Sequence, residues 1–159
     1  MQLVQKGVPK NVEKPLVLLA DDNEATCTLI TALLHRDFEV DVASDGHEAI
    51  EKLKRRQYAA ILLDLLMPIV DGYGVLDHLQ RNNPDMLSRV IVVTASVSPR
   101  QMSRVQGYAT FGVIAKPFEV DAFQAAVRQC AGLEPHPGTR GPLLSGGMLL
   151  LIADLLRRV

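Results

Sequence analysis

The chain has 159 residues, is 48% hydrophobic and carries a formal charge of −1 at neutral pH. That is one ordinary domain plus some extra chain, with enough apolar residues for a proper core. Lys and Arg are dispersed and form no basic tract, which excludes a general electrostatic pull toward nucleic acid or an anionic membrane and leaves only local electrostatics for function.

Residues 1–14 are mixed in character and read as a loosely held lead-in. Met1-Gln2-Leu3-Val4-Gln5-Lys6 lacks the apolar stretch of a signal peptide, so a soluble, cytoplasmic protein is expected. A regular alternation begins at Pro15. Residues 16–20 read as a strand, because buried parallel strands are continuous apolar runs. A helix follows over about 24–36, with Thr26, Ile30, Leu33 and Leu34 on one face. Residues 38–43 alternate apolar and polar, the pattern of an edge strand with one wet face. Ser44-Asp45-Gly46 opens a second helix running to about Arg56, with Ala49, Ile50 and Leu53 inward.

A third strand spans about 59–64, and Pro68 and Gly72 make a loop of the segment that follows. A third helix over about 73–82 buries Val75, Leu76 and Leu79, and Asn82-Asn83-Pro84-Asp85 is a turn. The fourth strand is about 89–94. Ser98-Pro99 supplies a cap and first-turn proline for a fourth helix ending near Gly107. The fifth strand is about 112–115, and the fifth helix, about 119–131, carries Phe123, Val127 and Cys130 on one face. Strands alternating with helices give an α/β fold, a parallel sheet covered on both sides.

Beyond residue 132 the character changes. Residues 133–147 are a Pro/Gly-rich linker, and 148–159 form an apolar helix, too short to span a bilayer, with Leu149, Ile152, Ala153 and Leu156 on one face. Such a surface needs cover, from its own domain, a second copy or a partner. Cys27 and Cys130 lack metal-ligand spacing and read as reduced core cysteines. His35, His47, His78 and His136 share no ligand spacing and read as surface or helix-packing residues.

Four apolar runs end in a reactive residue: the first strand in Asp21 and Asp22, the third in Asp64, the fourth in Thr94, the fifth in Lys116. In an open α/β sheet the site lies beyond the carboxyl ends of the strands, so these residues should converge on one sheet edge. Taken singly, each has an ordinary structural role: a helix cap, a core hydroxyl, a surface lysine. Together they suit a divalent cation and a phosphoryl group. Clustered carboxylates repel unless a cation intervenes, and an all-oxygen donor set selects Mg²⁺. A carboxylate there can act as a nucleophile, while an ammonium and a hydroxyl cover the phosphoryl oxygens.

Residues 15–131 resemble the receiver domain of two-component response regulators, the chemotaxis-regulator type. The matching segments are Leu18-Leu19-Ala20-Asp21-Asp22-Asn23, Ile61 to Pro68, Asp71-Gly72, Val92-Val93-Thr94-Ala95 and Lys116-Pro117-Phe118. The resemblance implies a flavodoxin-like, doubly wound five-stranded parallel sheet of order 2-1-3-4-5. It implies that Asp64 accepts a phosphoryl group from a histidine kinase. It further implies Mg²⁺ held by Asp22, Asp64 and the main-chain carbonyl of Leu66, with Asp21 acting through water. Thr94 and Lys116 would contact the phosphoryl group, and the Lys116–Pro117 bond would be cis.

Three positions depart from the common family pattern. Val113 stands where an aromatic often accompanies activation, and Tyr108 or Phe111 are its candidate substitutes. Leu66 and Ser96 occupy positions that tune access of water to the acyl phosphate. An apolar Leu66 cannot hold an attacking water, which implies slow self-dephosphorylation. The residues after 131 do not suit a DNA-binding output, so signalling is expected through protein contacts, to a downstream partner or a histidine phosphotransfer protein. Homodimerisation through the C-terminal helix, or through the face of the fourth helix, fifth strand and fifth helix, is one option. A relay intermediate and a degenerate, binding-only receiver are the alternatives. A phosphohydrolase is disfavoured, because such enzymes place the nucleophile in an Asp-x-Asp motif after the first strand and the chain offers no cap domain.

Overall fold

A computed structural model describes residues 12–136. The expected residues 148–159 helix, most of the linker before it and the lead-in up to residue 11 lie outside the described residues. Five strands, β1 (Leu16–Ala20), β2 (Glu39–Ala43), β3 (Ala60–Leu63), β4 (Val90–Thr94) and β5 (Gly112–Ala115), form one all-parallel sheet of order β2-β1-β3-β4-β5. The helices are α1 (Glu24–Leu34), α2 (Gly46–Arg55), α3 (Gly72–Asn82), α4 (Pro99–Gln106) and α5 (Val120–Cys130).

Strands β3 and β4 are buried along their whole length, and β1 is buried from Val17 onward, as continuous apolar runs require. Strand β2 is an edge, with Glu39 and Val42 exposed. Successive side chains alternate between the two faces of the sheet. Val17, Leu19, Leu62, Ile91 and Val93 pack with Ile30 and Leu34 of α1 and Phe123 and Val127 of α5. Leu18, Ile61, Leu63 and Val92 pack with Val75, Leu76 and Leu79 of α3 and Val105 of α4. Truncating a wholly buried side chain such as Leu62 to Ala costs about 2–5 kcal/mol.

Four of the five α-helices begin where a side chain supplies an oxygen for their free amides, while α5 starts after Glu119 without a side-chain cap. Asn23 caps α1 by accepting from Thr26 N, Asp45 caps α2, and Asp71 caps α3. Ser98 and Gln101 form a reciprocal capping box on α4. Because Asn23 takes the cap of α1, neither Asp21 nor Asp22 is used for it.

Some details differ from the sequence expectation. The inward face of α1 is Cys27, Ile30 and Leu34, with Thr26 and Leu33 only half-buried, and Cys27 Sγ donates to the Asp21 carbonyl at 3.3 Å. The turn after α3 winds into a 3₁₀ helix, Pro84–Arg89. Both cysteines are free thiols as expected, though only Cys27 is buried and Cys130 is half-buried. The first residues of the expected linker are anchored to the domain. Arg128 donates to the Glu134 carbonyl at 2.6 and 2.9 Å and pairs with Asp37 at 3.0 Å, and His136 reaches the same carboxylate at 3.0 Å. Among the described residues no helix is long and apolar enough to cross a membrane.

Candidate functional site

Backbone hydrogen bonds extend the ladder one residue past β1, β3 and β5 and so fix where the polar residues emerge. Asp21 N donates to Ala43 O at 3.1 Å, Asp64 N to Ala20 O at 2.9 Å, and Lys116 N to Thr94 O at 2.9 Å. The result is a pocket at the carboxyl edge of the sheet. Carboxylate oxygens of Asp21, Asp22 and Asp64 all lie within 4.8 Å of one another. Asp21 and Asp64 are buried, at 3% and 9% exposure, while Asp22 faces solvent.

Lys116 Nζ enters this cluster. It donates to Asp21 Oδ2 at 2.5 Å and to Asp64 Oδ2 at 3.3 Å. The other oxygen of Asp21 accepts Asn23 N at 2.9 Å, and Asp64 Oδ1 accepts Leu66 N at 3.3 Å. Burial pushes the Asp64 carboxyl above the usual aspartate range, against the opposing pull of Lys116 and the Leu66 amide, and the neighbouring Asp21 charge adds to the rise. Burial alone would depress the Lys116 ammonium, but its contacts with Asp21 and Asp64 outweigh burial and raise it. Among the described residues the pocket is therefore short of positive charge, with the Lys116 ammonium facing three carboxylates.

Thr94 is buried at the end of β4, and its hydroxyl accepts the Ser96 amide at 3.3 Å. The structure thus gathers Asp21, Asp22, Asp64 and Lys116 into one cluster, with Thr94 joined to Lys116 through the β4–β5 ladder and Leu66 joined to Asp64 through its amide. The Lys116–Pro117 peptide bond is cis, as the resemblance implies. Val113 is buried in the same core cluster as Val105 and Tyr108. Tyr108 is itself buried, with its hydroxyl bonded to Asp77 of α3, while Phe111 packs on the opposite core.

Two supporting features escaped the sequence reading. A Cβ on Gly72 would lie 2.3 Å from the Asp64 carbonyl oxygen, so only glycine lets α3 start against the end of β3. Ser96 Oγ donates to Gln101 Oε1 at 2.6 Å and ties the loop after Thr94 to α4. The Asp71-Gly72 pair hinted at the first; nothing local announces the second.

Comparison with known proteins agrees with this geometry. The sequence model of the response regulator receiver domain matches residues 17–128. Response regulator Rre1 of Synechocystis sp. is 35% identical over 118 residues, which cover 70% of this chain and 49% of that protein. The signal transduction histidine-protein kinase BarA of Escherichia coli (strain K12) is 33% identical over 104 residues, 65% of this chain and 11% of the kinase. The chain thus spans about half or less of these curated relatives. Among solved structures, the receiver domain of sensor histidine kinase PA1611 from Pseudomonas aeruginosa PAO1, which has a magnesium ion coordinated in its active site cleft, is 26% identical. It superposes with a TM-score of 0.68 over 75% of this chain and 98% of that one. The Francisella response regulator 1452 receiver domain gives the same identity, coverage and TM-score.

Proposed function

We propose, for a chain that belongs to the response regulator receiver domain family, that Asp64 is the phosphoacceptor of a two-component pathway. Accepting a phosphoryl group from a histidine kinase is the general function of the family. In this chain an Asp64 carboxylate oxygen would attack the phosphorus of a phosphohistidine. The new P–O bond forms as the P–N bond breaks, and the imidazole leaves with the electron pair and takes up a proton. Lys116 sits against both buried carboxylates and supplies the fixed positive charge beside the acceptor oxygen. Thr94 supplies a hydroxyl for a phosphoryl oxygen.

The donor set fits a hard divalent cation: three carboxylates, oxygen only, within 4.8 Å, and under-neutralised. We assign Mg²⁺ to Asp22, Asp64 and the Leu66 carbonyl, with Asp21 acting through water. Bound there, the ion would offset the charge of the carboxylates and of the incoming phosphoryl oxygens.

The observation that carries this reading is the Lys116 ammonium held on Asp21 and Asp64 among three carboxylates at the end of the sheet. The gathered set also speaks against a binding-only receiver. Its test is incubation of the purified chain with phosphoramidate and Mg²⁺, followed by intact mass. The wild type gains one phosphoryl group and Asp64→Asn gains none. Output passes through protein contacts, to a downstream partner. A relay role is the second reading, favoured by the similarity to segments of histidine kinases. Return of the phosphoryl group from Asp64 to a histidine phosphotransfer protein would support it.

A further inference from the structure

The loop between β3 and α3 pairs a rigid backbone with two outward apolar side chains. Gly72 N donates to Leu65 O at 3.0 Å and closes the loop on itself; Gly46 N donates to Val70 O at 2.9 Å and ties it to α2. Leu65 and Met67 are buried and anchor it from below. Between these anchors Leu66 and Ile69 point outward, at 59% and 82% exposure. Ile69 also sits in the left-handed region, with φ of 67°. A β-branched residue is strained there and glycine is not. Ile69 therefore strains the backbone and leaves an apolar side chain in water, and it adds almost nothing to the core. Residues held in such conformations mark functional positions when the surrounding structure over-determines them.

The position of the loop says which function. Leu66 N touches Asp64 Oδ1, so this loop is the rim of the pocket. Asp64 is only 9% exposed, so a phosphoryl group carried on another protein reaches it only if that protein's surface closes over the rim. The donor then lands on the outward residues of this loop. Apolar side chains presented on a fixed backbone are the kind of anchor that gives most of its energy to an interface, since little order is lost on contact.

We infer that Ile69, with Leu66, is an apolar anchor for the phosphohistidine-bearing protein, and that Ile69 helps determine which donor this receiver accepts. The inference rests on the assignment of Asp64 as phosphoacceptor. It commits to a donor whose histidine is flanked by apolar surface.

The test uses the full chain as wild type, Ile69→Gly, Ile69→Asn and Ile69→Leu. The probes are phosphoramidate and the dimerisation-and-catalytic fragments of the source genome's histidine kinases, each autophosphorylated with ATP. Phosphoramidate should label all four proteins at the wild-type rate. With the kinase that labels wild type fastest, kcat/KM should fall about tenfold for the Gly and Asn variants and be restored by Leu. The Tm of Ile69→Gly should hold or rise by up to about 4 °C, as strain is released. Failure of phosphoramidate to label wild-type Asp64 would sink the phosphoacceptor assignment itself. With that label intact, the anchor is overturned by transfer from no kinase, by Gly or Asn variants as fast as wild type, or by a lowered Tm, which would show that Ile69 serves the fold. A change of solution mass in Ile69→Gly would overturn it too, because the loop would then be a contact between copies of this chain.

Discussion

Replacing Lys116 with Met keeps the length and apolar stem of the side chain and deletes the ammonium. In the folded chain that ammonium lies 2.5 Å from Asp21 Oδ2 and 3.3 Å from Asp64 Oδ2, with its side chain 18% exposed. At an effective dielectric near 20 the two attractions are about 7 and about 5 kcal/mol, and desolvation of the ammonium removes most of that. What remains on deletion is two buried carboxylates facing one another, a loss of about 3–5 kcal/mol. Urea denaturation in EDTA should therefore show a midpoint lowered by about 1.5 M at unchanged slope. The emptied position makes the pocket more negative, so Mg²⁺ should bind the variant more tightly than the wild type. A tenfold gain in affinity returns about 1.4 kcal/mol at saturation. In an Asp64→Asn background the same substitution should cost at least about 1 kcal/mol less, because one of the two partners is already neutral. A loss under about 1 kcal/mol in EDTA, or one that neither Mg²⁺ nor Asp64→Asn alters, would refute a charge-balanced pocket.

Three further outcomes follow from other parts of the chain. Burial works against the Asp41 charge, but Lys52 Nζ at 2.5 Å and the Tyr58 hydroxyl at 2.8 Å outweigh it and hold the carboxyl below its ordinary 3.8. A depressed carboxyl stabilises the fold above its unfolded value and loses that contribution as pH falls through the folded one. Asp41→Asn should thus cost about 1–2 kcal/mol at neutral pH, with the gap to wild type closing in denaturant titrations below the ordinary aspartate range. Gly72→Ala forces a methyl to 2.3 Å from the Asp64 carbonyl and 2.7 Å from Leu65 Cα, both backbone, so thermal melts should show a loss of about 1–3 kcal/mol and phosphoramidate labelling should slow. Leu66→Asn places a hydrogen-bonding group where an exposed apolar side chain stands, and the lifetime of the phosphorylated chain, followed by intact mass, should shorten roughly tenfold.

The parallel sheet and the polar residues at its carboxyl edge were legible because buried strands carry no polar side chains until they end, so Asp21, Asp64, Thr94 and Lys116 stood out against their apolar runs. What escaped depends on contacts that no local pattern encodes. The inward phase of α1 puts Cys27 inward and leaves Thr26 half-buried, a difference of one residue that helical periodicity resolves poorly. The clamp of Arg128 and His136 on Asp37 joins residues nearly a hundred positions apart. Ile69 carries no signal for a left-handed backbone, because glycine is the residue that would advertise one.

The convergence itself has a simple physical origin in strand register. Ala20 pairs with Ala43 and with Leu63, so β1, β2 and β3 end level, while Leu63 pairs with Val92 and Thr94 with Ala115, so β4 and β5 run two residues further. One more ladder bond per strand then delivers Asp21, Asp64 and Lys116 to the same edge. In a sheet a slip of one residue would send each side chain to the opposite face, burying a carboxylate or an ammonium among leucines and valines. Val17 and Leu19 serve one core and Leu18 and Ala20 the other, so apolar packing alone accepts either phase, and the cost of burying those charges is what opposes the slip. The charged residues at the strand ends therefore help to fix the register that positions them. That is why a chain whose pocket is costly in itself still gathers four ionisable groups at one edge of the sheet.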